Sequence, residues 1–173
     1  LDVTNVKPTV DYSKLAKVLN RVVNEDGDVD TIRMKEEYSQ LLKDQLKILA
    51  VTGPTATPEL FSTLQQRVAY WYNARTAWST ELGMMQIKAD ADKSVSDRDY
   101  TYREMLRKFP LDGRLMTLKE IDLALDVGGE KGFYIVVAAP GILFDRARLP
   151  RKPFDAETIV EEIRKRVSAF VNN

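Results

Sequence analysis

The sequence predicts an α+β fold, about five helices packed around a small β-sheet. Three observations point to it. Several stretches place apolar residues three, four or seven positions apart, the period of a helix with one buried face. The run Phe133-Tyr-Ile-Val-Val-Ala-Ala139 is continuously apolar and rich in β-branched residues, which suits a buried strand. Asp112-Gly113, between apolar segments, is a hairpin-type turn. The longest helical stretch, about 58–82, holds both tryptophans, and the other elements are expected to pack around it.

Residues 1–9 lack periodicity and contain Pro8, which reads as a loose N-terminal arm, with 10–173 as one globular domain. A first helix follows from Leu15, Val18, Leu19, Val22 and Val23, stopped by the turn residues 24–28. Thr31 suits the N-cap of a second helix, with Met34, Tyr38, Leu41, Leu42, Leu46 and Leu49 along one face. Thr57 and Pro58 fit the start of the central helix, and Gly83 fits its stop. Its buried stripe is Leu60, Leu64, Val68, Trp71, Trp78 and Leu82, with Arg75 the one charge aimed near the core.

Residues 90–99 are polar and read as a surface loop. Residues 103–109 fit a short helix or a strand, and the Asp112-Gly113 turn favours the strand. Thr117-Leu-Lys-Glu120 matches a capping box and opens a short helix. Residues 133–139 form the most buried strand, and 145–153 a basic loop. Asp155 caps a last helix with Ile159, Ile163, Val167, Phe170 and Val171 inward.

Composition removes whole classes of chemistry. The chain contains no cysteine and no histidine. Disulfides, thiol nucleophiles, thiolate metal sites, an imidazole base and imidazole ligands are all excluded. Lys+Arg and Asp+Glu are both 26, so there is no basic excess of the kind that marks a nucleic-acid binder. No segment reaches the length of apolar sequence that a membrane span needs. No cofactor signature is present. The chain starts at Leu1 without a methionine, compatible with an exported protein that has lost a leader.

Four collinear segments resemble the bacterial family known as domain of unknown function 547. Asp26-Gly-Asp-Val-Asp30 is similar to its DGxVDY turn, and Val68-Ala-Tyr-Trp-Tyr-Asn-Ala74 to its AFWINxYNA signature. Gly113-Arg-Leu-Met-Thr-Leu-Lys-Glu-Ile121 is similar to GxxLSLDDIE, and Phe133 to Ala139 with Pro153-Phe154 to its HFALxC…SCPPL…F segment. The resemblance implies an arrangement like papain and the transglutaminases, with a cysteine and a histidine as the natural reactive pair. In this chain the histidine position falls on Phe133 and the cysteine position near Phe144. Trp71 and Asn73 match the signature, whereas Arg75-Thr76 replaces its Tyr-Asn. A degenerate member without the reactive pair is the implied identity.

The candidate site residues are therefore Trp71, Asn73, Arg75, Glu120, Phe133, Phe144 and Arg146. Trp71, Tyr72 and Trp78 fit either core packing or the lining of a groove. Asn73 and Arg75 need partners on an apolar helix, because a buried unpaired polar group costs about 1–3 kcal/mol. A neighbouring loop would serve Asn73, and a carboxylate such as Glu120 or Asp122 would serve Arg75. The alternative for both is a polar pocket inherited from an active site. Arg146, Arg148, Arg151 and Lys152 form a basic cluster that fits an acidic partner, or a solvated loop balanced by Glu157, Glu161 and Glu162. Asp26, Asp28 and Asp30 have calcium-loop spacing but carry Thr31 where the turn glycine belongs, and Asp90, Asp92, Ser94 and Ser96 carry Val95 there, so cap, turn and loop roles are preferred. Two functions remain: a non-catalytic binding or structural domain with a protein or small-molecule partner, or a hydrolase using carboxylates in a groove beside the central helix.

Overall fold

The computed structural model describes residues 1–90, 105–126, 129–140 and 148–171. The fold is α+β, mostly helical, with a small antiparallel hairpin and one long helix. Helix α1 (Ser13–Val22) buries Leu15, Val18, Leu19 and Val22, as its period requires. Its first turn is held from two sides. Asp11 Oδ1 accepts from the Ser13 N–H at 2.8 Å, and the buried Gln45 amide accepts from Leu15 N–H and donates to Asp11 O, both at 3.1 Å. The 24–28 turn is closed by an antiparallel bridge between Val23 and Val29.

The second helical stretch runs as α2 (Thr31–Arg33), a π turn (Met34–Tyr38) and α3 (Ser39–Val51). Its cap is Asp30 and not Thr31: Asp30 Oδ1 accepts from the Arg33 N–H at 3.0 Å. A carboxylate at that position also complements the helix dipole, which a hydroxyl does not.

The long helix α4 (Leu64–Asp90) departs from expectation at both ends. Pro58–Leu60 is a separate 3-10 turn, and Thr57 bonds back to Gly53 and does not cap. Phe61 follows outside the helical conformation and buries itself edge-on against Tyr70, with centroids 5.1 Å apart. Thr63 and Gln66 then form reciprocal bonds, Thr63 N–H to Gln66 Oε1 and Gln66 N–H to Thr63 Oγ1, which start the helix. Leu64 is therefore in the first turn and 47% exposed, outside the buried stripe. Gly83 does not stop the helix. Residues 77–80, 82 and 83 are buried, and an end there would leave the last turn's carbonyls without partners, a larger penalty than the roughly 1 kcal/mol of a mid-helix glycine.

Strands β1 (Phe109–Leu111) and β2 (Arg114–Met116) pair antiparallel with Leu111 opposite Arg114. Asp112 (φ 54°) and Gly113 (φ 73°) both lie in the left-handed region, the type I′ geometry that Asp-Gly favours. The strand expected over 103–109 begins only at Phe109, with 105–106 helical and 103–104 outside the described residues. Helix α5 (Leu118–Leu125) opens on the expected capping box of Thr117 and Glu120.

Residues 133–139 are not a strand. They belong to helix α6 (Gly129–Val137) and the turn after it. A short, continuously apolar run carries no period, so β-branching alone suggested a strand. The described sheet has two short strands, and α6 instead packs between α5 and the last helix, α7 (Ile159–Val171). Asp155 holds the turn that leads into α7, accepting from Glu157 N–H at 2.7 Å. No described helix is long and apolar enough to cross a membrane.

Candidate functional site

Every residue from Val68 to Thr80 on α4 is buried. Over this stretch the helix is enclosed, by α3, α5 and α7 among others, and lacks the solvated face of an ordinary amphipathic helix. Its aromatic residues pack as core. Trp71 is 6% exposed and meets Tyr70 edge-on at 4.8 Å, and Trp78 stacks on Phe109 at 4.2 Å. Tyr72 meets Phe154 edge-on at 4.9 Å and donates its hydroxyl to Ile135 O at 2.6 Å, tying α4 to α6.

The polar residues of α4 meet scaffold partners. Thr76 and Thr80 hydroxyls donate to the carbonyls four residues back, at 2.8 Å each. Asn73 is fully buried. Its Nδ2 donates to Phe154 O at 2.9 Å and its Oδ1 accepts from Phe154 N–H at 2.8 Å. The side-chain amide thus satisfies both backbone groups of one loop residue, as a neighbouring strand would. The same amide lies beside the Tyr12 phenol, whose pKa burial pushes far above the ordinary value.

Arg75, 2% exposed, forms a fork with Asp122 of α5, Nε to Oδ1 at 2.8 Å and Nη2 to Oδ2 at 3.3 Å. Its Nη1 also donates to Ser79 Oγ and Pro140 O, both at 3.3 Å. Asp122 is thus the partner. Glu120 is not, because its carboxylate accepts from Thr117 N–H at 2.7 Å and Thr117 Oγ1 at 2.9 Å.

Other candidates fall elsewhere. Phe133 lies on α6 with its side chain outside the described part of the structure, and Phe144 and Arg146 lie outside the described residues, as do Asp92, Ser94 and Ser96. The 24–30 acids are engaged: Asp30 caps α2, Asp28 Oδ2 accepts from Asn24 Nδ2 at 3.4 Å, and Arg148 Nη1 sits 3.6 Å from Asp26 Oδ1. Among the described residues, no ion pair joins the basic loop to Glu157, Glu161 or Glu162. Arg148 and Arg151 meet Asp26 and Glu25 across from the turn after α1, while Glu161 pairs with Lys165 on its own helix.

Three groups escaped sequence reasoning, the buried Asp112 and Tyr70 and the half-buried Arg166. Asp112 is 1% exposed. Its Oδ1 accepts from the N–H groups of Thr55 and Ala56 at 2.8 Å each, pinning the 53–57 loop to the hairpin. Tyr70, close to Asp112, has its phenol pKa raised well above the ordinary value by burial first and by that carboxylate second, and its hydroxyl donates to Thr52 O at 2.7 Å. Arg166 of α7 donates to Ala138 O at 2.7 Å and Arg148 O at 2.6 Å, lies over the Phe154 ring, and has its pKa lowered by burial. Asp-Gly signalled the turn but not this second duty of Asp112, and an arginine on a charged helix face carried no signal. Neither a protein-family model, nor a curated protein, nor a solved structure matches the chain.

Proposed function

We propose that this chain is a non-catalytic binding or structural module, resembling a degenerate member of the domain of unknown function 547 family. One observation carries the reading: Asn73 and Arg75, the polar residues nearest the signature of that family, hold the fold together. Asn73 is taken up by the Phe154 backbone, and Arg75 by Asp122, Ser79 and Pro140. The absence of any cysteine or histidine supports the same reading, since a thiolate–imidazole step needs both.

The carboxylate-hydrolase alternative would draw on Asp112 and Asp122, the acids packed beside Tyr70 and Arg75. Asp112 is closed off from solvent, and Asp122 is gripped by a guanidinium. An active carboxylate pair needs two acids facing one substrate, with environments that push their pKa values apart. The test is hydrolysis of chromogenic esters, peptides and glycosides. The expected result is no turnover, with Asp122→Asn changing thermal melting alone. Turnover that Asp122→Asn abolishes without moving the melting curve would overturn the proposal.

A further inference from the structure

A groove of about 560 Å³ runs between α1, the π turn and the 148–154 loop. Its rim carries Lys17 and Arg21 from α1 and Arg151 and Lys152 from the loop, all exposed, with Tyr38 and Leu41 half-buried at its floor. Among its described lining residues there is no carboxylate. In a chain of zero net charge, four cations around one apolar floor are a local excess, and they attract anionic groups.

The rim is also held in place. At one end of the loop, Arg148 packs on the turn after α1 so closely that a Cβ on Gly27 (φ +81°) would lie 2.4 Å from the Arg148 Cβ. Arg148 also donates to Asp26 O, and Arg166 holds the Arg148 carbonyl. At the other end, Asn73 clamps both backbone groups of Phe154. Arg151 and Lys152 therefore face Lys17 and Arg21 from a loop tied down at both ends, which lowers the ordering cost of binding. Tyr38 reaches the floor as the last residue of the π turn, an irregularity frequent at functional sites.

We infer that this groove binds an acidic peptide segment of a partner protein, an apolar side chain seated on Tyr38 and Leu41 with flanking carboxylates on the four cations. The inference rests on the binding reading above and gives it a surface. An apolar floor favours a peptide over a phosphate backbone, which would call for a continuous basic stripe. Glu25, 3.5 Å from Arg151 and 89% exposed in its side chain, is the carboxylate such a ligand displaces. A pair so exposed yields readily.

The test is fluorescence anisotropy with short labelled peptides bearing one Leu or Phe between glutamates, against the same peptides with glutamine and against duplex DNA. The glutamate peptides are expected to bind the whole chain with an affinity that falls steeply with salt. Lys17→Glu with Arg21→Glu should weaken them about tenfold or more while melting stays unchanged. Glu25→Gln should tighten them. Equal binding by the charge-reversed chain, no binding of any glutamate peptide, or tighter binding of DNA would overturn the groove. Those failures differ from failure of the non-catalytic reading, which the hydrolysis assay alone exposes.

Discussion

The fork between Arg75 and Asp122 gives a direct handle on the scaffold role of α4. Arg75 is 2% exposed in its side chain and Asp122 12%, so Asp122→Ala takes the carboxylate of the fork away from a buried guanidinium. Removing one member of a buried pair costs about 3–5 kcal/mol. Two features place this site near the lower end. Nη1 keeps Ser79 Oγ and Pro140 O, and some water reaches Asp122. The expected loss is about 3 kcal/mol, which for a chain of this size lowers the melting temperature by roughly 6–12 °C. The assay is urea unfolding followed by tryptophan fluorescence, since Trp71 and Trp78 flank Arg75 on α4. Combining Arg75→Met with Asp122→Leu should recover most of the loss, because an apolar pair has no stranded charge. A change below about 1 kcal/mol in Asp122→Ala would refute the scaffold role of this pair.

Further outcomes follow from the same contacts. Trp71→Ala should cost about 3–5 kcal/mol, read by thermal melting, as for any aromatic in a packed core. Thr117→Ala removes the hydroxyl of the α5 capping box and should cost about 1 kcal/mol in urea unfolding. The Tyr12 and Tyr70 phenols have pKa values raised in the fold above their ordinary 10.0, so the unfolded chain releases these protons first. Their contribution is complete below pH 10 and is lost as pH rises further, so a pH series of melting curves should stay flat in this respect up to that point and then fall.

Features set by local chemistry were legible in the sequence. The Thr117–Glu120 box, the Asp112-Gly113 turn and the stripe of α1 each depend on residues a few positions apart. A charged residue on an apolar helix also announces a partner, which is why Asp122 could be anticipated beside Glu120 as the mate of Arg75. Features set by tertiary context were not. Gly83 is an ordinary stop signal, overridden because α4 is still inside the core at that point. The β-branched run at 133–139 took the helical form that fits between α5 and α7. Phe154 entered only through the family resemblance, yet its backbone is what Asn73 holds.

Native-state hydrogen exchange at the Phe154 amide tests the scaffold role of α4 most directly. If Asn73 serves the fold, that N–H exchanges slowly in the intact chain, and Asn73→Ala makes it exchange fast while the α4 core amides stay protected. Fast exchange of the Phe154 amide in the intact chain would contradict the account, because the Asn73 amide would then be available for a ligand in place of the loop.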